Sequence, residues 1–300
     1  MSVRSLVGGV EAGGTKFVCA IGDTSPRILV RETFPTQSPD QTMAQAIAFF
    51  QRHSHRDELS HIGVASFGPI DLHRHSPSYG RITSTPKPHW QNYDIVKAIA
   101  QGTGVERVLV DTDVNCAALA EWLWGAGRNS DPFLYVTLGT GIGVGAVVNG
   151  GVVHGLVHPE AGHMRIPHDR ALDPFPGSCP SHGDCWEGLA SGAAIAARSG
   201  GAARALPVDH AVWPLVTSYA ADAFANLILT FSPERIAVGG GLRRRVLGPR
   251  LLRLVHERLN GYVRTWKLQD GLAEYIVPPQ LGDDAGVLGA IALATRPSQI

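Results

Sequence analysis

Apolar runs along this chain repeatedly end on glycine. Leu6–Val10 and Phe17–Ile21 flank Gly13-Gly14-Thr15, which predicts strand, glycine turn, strand. Residues 40–52 (DQTMAQAIAFFQR) set Met43, Ile47 and Phe50 at helical spacing. HIGVASFGPID (61–71) predicts a buried strand running into a Gly-Pro turn, ITSTPKPHW (82–90) a proline-rich loop, and DIVKAIAQGTG a short helix stopped by glycine. RVLVDTDVN (107–115) predicts an apolar strand ending in two aspartates, and VNCAALAEWLW (114–124) a helix.

The pattern then starts again. FLYVTLGTGIGVGAVVNGG (133–151) is strand, glycine turn, strand, and EAGGTKFVCAI (11–21) aligns with LGTGIGVGAVV (138–148) so that Gly14 falls on Gly141. This faint repeat predicts two lobes built from copies of one βββα-type module, with a cleft between them, in the α/β class. Residues 152–190 are rich in His, Gly, Pro and Cys and read as an irregular insert. Helices return in SGAAIAARSG and VWPLVTSYAADAFANLILTFS. RIAVGGGL (235–242) is a strand ending in glycines, and LGDDAGVLGAIALAT (281–295) a closing helix with Asp283 or Asp284 near its N-terminus. The expected division is 1–115 plus the closing helix (284–300) for the first lobe, and 116–283, holding the insert, for the second.

Composition narrows the function classes. The 300 residues are 44% hydrophobic and 17% charged, with 35 glycines, as expected of a globular chain with many close backbone approaches. Lys+Arg and Asp+Glu both number 26, so the formal charge is zero, which argues against a nucleic-acid partner. No run approaches ~18 uninterrupted apolar residues, and the N-terminus lacks signal-peptide architecture, so no membrane partner and a cytoplasmic location are expected. Four cysteines do not make a disulfide scaffold.

Three glycine turns are candidate phosphate cradles: Gly13-Gly14-Thr15-Lys16, Gly139-Thr140-Gly141-Ile142-Gly143 and Gly239-Gly240-Gly241. Backbone N–H groups in such turns approach an anion closely. Any one of them alone reads equally well as a hairpin turn, and none fits the P-loop pattern. Three in an α/β chain, two of them repeat-related, point to a nucleotide. Asp113, between strand and helix, is placed either to deprotonate an attacking hydroxyl or to cap the helix; Asp111 is the alternative base. Glu160 and His163 stand three apart, on one face if helical, as sugar or metal contacts or as a plain surface pair. Cys179, His182 and Cys185 supply three metal-ligand types at C-x2-H-x2-C spacing. His163 is the best fourth ligand, with His154, His158 and His168 as competitors. A Cys179–Cys185 disulfide and a zinc-finger module are the rival readings; the single cluster and the balanced charge disfavour the finger.

Taken together, these residues resemble the ROK family of sugar kinases and repressors over nearly the whole chain. EAGGTK, LGTGIGVG and VGGGL are similar to its two phosphate loops and its adenosine-side glycines; DTDVNCAALAE is similar to its catalytic segment; PEAGH with CPSHGDC and EGLASG is similar to its zinc region. ASFGPIDL, TPKPHW, DTDVN, HPEAGHM and CPSHGDCWEGLASG resemble the bacterial fructokinase branch. The resemblance implies an actin-like (ribonuclease H-like) two-lobed duplicated fold with a zinc-binding insert, and Mg-ATP-dependent phosphorylation of the fructose 6-hydroxyl. Glucose, mannose or an N-acetylhexosamine are alternative substrates, and a catalytically silent sugar sensor the alternative role. It implies Asp113 as general base, with Glu160, His163, Glu187, Thr112 and Gly68 at or near the sugar. His163, Cys179, His182 and Cys185 would hold a structural zinc, and the protein would be a homodimer. Thr112 stands where glucokinase-like members carry Asn, a departure that weighs against glucose. The family's repressors carry a helix-turn-helix ahead of the first phosphate loop; here that loop begins by residue 11.

Overall fold

The computed structural model describes residues 6–53, 59–85 and 87–296. The strands in chain order are β1 (Leu6–Ala12), β2 (Lys16–Gly22), β3 (Ile28–Pro35), β4 (Leu59–Ser66), β5 (Val108–Thr112), β6 (Phe133–Leu138), β7 (Ile142–Val148), β8 (Gly151–Val152), β9 (Arg235–Gly239) and β10 (Ile276–Val277). The helices are α1 (Pro39–His53), α2 (Ile95–Thr103), α3 (Asp113–Trp124), α4 (Trp186–Ala190), α5 (Gly192–Ser199), α6 (Val212–Phe231), α7 (Arg243–Val246), α8 (Pro249–Leu259), α9 (Trp266–Gln269), α10 (Leu272–Tyr275) and α11 (Ala285–Thr295).

Two compact units divide the chain: 1–128 with 150–159 and 281–300, and 129–149 with 160–280. The first unit carries a sheet in the order β3-β2-β1-β4-β5, antiparallel on the β3 side and parallel from β1 to β5. Side chains alternate across it with the period of two that strands impose. Phe17, Cys19 and Ile21 of β2 join the core formed with Phe49 and Phe50 of α1 and Ile95 and Ile99 of α2. Val18 and Ala20 point the other way, to Val287, Leu288 and Ile291 of α11.

The β1 alternation has a consequence for chemistry. A Cβ on Gly9 would lie 2.9 Å from Ile291 and one on Gly286 2.5 Å from the Glu11 carboxyl carbon, so Gly9 and Glu11 share the α11 face. A Cβ on Gly289 would stand 2.0 Å from the carbonyl oxygen of Cys116, so only glycine lets α11 and α3 approach this closely. This packing keeps α3 in the first unit, which therefore runs past residue 115, where sequence patterning set the boundary, to 128. The irregular stretch from 152 onward is also shared: 150–159 belongs to the first unit and 160–190 to the second.

In the second unit β6 pairs antiparallel with β7 and parallel with β9, and β9 parallel with β10. The order β7-β6-β9-β10 thus reproduces β2-β1-β4-β5. The faint glycine-turn repeat is a repeat of topology. α6 is long and apolar enough to cross a membrane by length and composition, but 67% of its most apolar window is buried inside the protein. Phe224 on this helix meets Trp186 of α4 edge-on at 6.1 Å, which seats the segment that follows the Cys/His cluster.

Candidate active site and metal-binding cluster

In the first unit, the β1–β2 turn presents Gly14, Thr15 and Lys16 to solvent. The turn is closed by the Gly13 amide donating to the Lys16 carbonyl at 3.0 Å, and is held from outside by Thr36, whose hydroxyl donates to the Gly13 carbonyl at 2.7 Å. Lys87, from the proline-rich loop, donates through Nζ to the carbonyl of Gly14. Gly68 follows β4 and precedes a cis Pro69.

Asp113 opens α3. Its alternative role as helix cap falls to its neighbour: the Thr112 hydroxyl accepts from the Asn115 amide at 3.1 Å and Thr112 is the N-cap. The Asp113 carboxylate accepts from the Val114 amide at 2.8 Å, yet desolvation dominates and raises its pKa to about 6. Asp111, the alternative base, is buried and engaged by three donors. It is 1% exposed and accepts from the Thr112 amide (2.7 Å), Asn115 Nδ2 (2.8 Å) and His154 Nε2 (2.9 Å).

Sequence reading missed Glu11 as a titrating group. Burial raises its pKa to about 7, against the opposing attraction of Lys16, with Asp113, Asp284 and Asp283 adding repulsion. Its Oε2 is buried without a hydrogen-bond partner. The available signal was a lone acid inside the apolar, small-residue run LVGGVEAGG.

In the second unit, the β6–β7 turn is closed by the Gly139 amide on the Gly141 carbonyl at 2.9 Å. The Gly192 and Ala193 amides at the start of α5 donate to the carbonyls of Gly139 and Thr140, which fixes the turn against that helix. Thr140 is exposed. The third turn lies against β6: the Leu242 amide donates to the Leu138 carbonyl at 2.9 Å, Gly240 has φ +84° and Gly241 faces open space.

His163, Cys179, His182 and Cys185 converge, with their four ligand atoms all within 4.8 Å of one another. Cys179 Sγ lies 3.6 Å from Nδ1 of both His163 and His182, and Cys185 Sγ lies 3.5 Å from Nδ1 of His163. The cysteines are free rather than disulfide-bonded. A tight loop makes the first half of the cluster: Cys179 and Gly183 exchange backbone hydrogen bonds, and the His182 amide points at Cys179 Sγ. The other half comes from the 3₁₀ turn Ala161–His163 and from Cys185, the N-cap of α4. The competing histidines are engaged elsewhere: His154 on Asp111, His158 near the Ile70 amide, and His168 between Asp184 and the Asp173 carbonyl.

Glu187 sits two residues past Cys185. Its Oε2 accepts from the Ile142 amide at 2.8 Å, and its Oε1 lies 3.9 Å from His163 Nε2. Glu160 is exposed at the start of the 3₁₀ turn, and its carbonyl accepts from the His163 amide. His163 and Glu187 are therefore brought together beside the Cys/His cluster and the Gly139–Gly141 turn, with Glu160 at the start of the 3₁₀ turn that carries His163.

The ROK family matches residues 7–297. A fructokinase from Zymomonas mobilis is 41% identical over 298 residues, covering 97% of each chain. A fructokinase from Pediococcus pentosaceus is 39% identical over 290 residues, covering 96% of this chain and 97% of its own. A ROK hexokinase structure from Thermus thermophilus superposes with a TM-score of 0.75 at 26% identity, covering 96% of this chain and 97% of that one. A family match across nearly the whole length shows that this chain belongs to the ROK family.

Proposed function

We propose that the protein is an ATP-dependent hexose kinase that phosphorylates the 6-hydroxyl of D-fructose. The observation that carries the reading is Asp113: a carboxylate at the start of α3, relieved of capping by Thr112, with a pKa raised to about 6. Such a group is ionised at neutral pH and basic enough to take a proton as it is released. The choice of fructose rests on the full-length relatives at 39–41% identity that carry that name.

In this mechanism Asp113 orients the sugar hydroxyl and accepts its proton as the oxygen attacks the γ-phosphorus of Mg-ATP. A new P–O bond forms to the sugar oxygen, the bond to the bridging oxygen breaks, and ADP leaves. N–H groups of Gly14 and Thr15 in the first turn and of Thr140 and Gly141 in the second, with the Thr15 and Thr140 hydroxyls, hold phosphate oxygens, and Gly239–Gly241 flank the adenosine. The chain's contribution is positioning and fixed dipoles, which dominate catalysis of phosphoryl transfer. Glu160, His163 and Glu187 accept or donate hydrogen bonds to sugar hydroxyls, and Thr112 and Gly68 complete the sugar contacts.

The Cys/His cluster fits zinc. Zn–S bonds of ~2.3 Å and Zn–N bonds of ~2.05 Å at the tetrahedral angle give an S···N edge of ~3.6 Å. The three S···N separations of 3.5–3.6 Å match that edge. With two thiolates and two imidazoles the shell is complete, so zinc would serve to hold the loop rather than to bind substrate. The test of the whole reading is a coupled ADP-release assay across hexoses: fructose-dependent ADP release supports it, and ligand-induced stabilisation without turnover supports a silent sugar sensor instead.

A further inference from the structure

The Asp111–His154 pair is absorbed by none of the roles above. Asp111 lies two residues before Asp113, and its carboxylate is buried. Oδ1 serves the start of α3 itself, accepting from the Thr112 amide and from Asn115 Nδ2. The Asn115 amide is in turn held by Thr112, so Asp113 is bracketed by residues that Asp111 organises. Oδ2 receives Nε2–H of His154 at 2.9 Å, from a segment 43 residues further along the chain.

His154 itself is 30% exposed at its side chain, against 1% for Asp111. Of the other groups facing the pair, Arg74 repels the His154 imidazolium, and burial lowers the pKa of His158, which favours its neutral ring. Tyr79 also lies within the field of Asp111 and Arg74. Burial opposes the imidazolium, but the bond to Asp111 prevails and the His154 pKa is raised. A buried carboxylate loses much if one partner is withdrawn, because water does not replace it.

We infer that His154 is a positioning residue: through Asp111 it fixes the first turn of α3 and so the carboxylate of Asp113. It does not touch the reacting atoms. The inference rests on the reading of Asp113 as the base, and it concerns geometry, so its effect falls on kcat rather than on substrate affinity. Small displacements of a base are costly, on the order of 10²-fold for 1 Å.

The test is the full-length protein with ATP and fructose. H154A lowers kcat about tenfold while KM for both substrates stays within about twofold, and H154Q, which keeps an N–H for Asp111 Oδ2, recovers most of the loss. Amide hydrogen exchange gives a readout that needs no turnover: Val114 and Asn115 exchange about tenfold faster in H154A than in wild type or H154Q, with α6 unchanged. Wild-type kcat and exchange in H154A would overturn the inference, as would a loss that Gln does not recover or one that spreads to α6. Failure of the kinase reading has a different signature, no ADP release by the wild type with any hexose, and the exchange comparison still decides whether His154 orders the helix start.

Discussion

Glu187 Oε2 accepts a 2.8 Å hydrogen bond from the amide of Ile142, the first residue after the Gly139–Gly141 turn. One carboxylate thus ties the segment behind the Cys/His cluster to a glycine turn. A Cβ on Gly141 would lie 2.6 Å from the same oxygen, so the turn must be glycine for Glu187 to reach it.

Two variants separate the jobs of Glu187. E187A removes both the proposed sugar contact and the acceptor for Ile142; kcat/KM for fructose is expected to fall about 10²-fold and stability by about 1–3 kcal/mol. E187Q keeps a carbonyl oxygen for Ile142, so its stability stays near wild type while kcat/KM still falls. Steady-state kinetics and denaturant unfolding check this; equal unfolding of the two variants would contradict it.

Metal content tests the cluster. Elemental analysis of the purified protein is expected to give about one zinc per chain, and C179S to give none. Loss of the metal costs about 4 kcal/mol or more, the range associated with removing a structural ion. Full stability of metal-free protein would show that the cluster holds nothing the fold needs.

How much of this was legible in the sequence follows from the kind of signal each part leaves. The glycine turns, the strand into Asp113 and the C-x2-H-x2-C clip are local, so spacing exposed them. The topology repeat was visible only as Gly14 over Gly141, because β7, β6, β9 and β10 match β2, β1, β4 and β5 in order but hardly in residue identity. His154 on Asp111 left no signal, since the partners stand 43 residues apart and nothing in either segment marks a contact. The place of α3 in the first unit left no local signal for the same reason. α3 stays with the first unit through α11, which arrives from the far end of the chain.

The pH behaviour of Asp113 has a defined sign. Its folded pKa of about 6 lies above the ordinary 3.8, so between those values the folded state keeps a proton that the unfolded state has released. Stability therefore falls as pH rises through about 4 to 6, and the cost, at most about 3 kcal/mol, stays in full above it. Glu11, raised to about 7, extends the same trend. Activity runs the other way: kcat/KM for fructose is expected to fall below about pH 6 as the base protonates. D113N, which carries no charge to bury, melts higher than wild type at pH 8 and close to it at pH 4. A D113N melting point no higher at pH 8 would contradict the burial argument.

Thr112 sets a specificity test. T112N preserves a good N-cap for α3 while restoring an amide that offers two donors and an acceptor to a sugar. The ratio of kcat/KM for glucose over fructose is expected to rise about tenfold, a shift of about 1.4 kcal/mol. An unchanged ratio would place discrimination elsewhere.

The most direct measurement is ADP release by D113N with fructose and ATP, compared with wild type under the same conditions. Removing the proton acceptor while keeping the shape of the side chain is expected to lower kcat by about 10²–10⁴-fold, with fold and ATP binding retained. Turnover within a few-fold of wild type would contradict the assignment of Asp113 as the base and, with it, the mechanism proposed for this kinase.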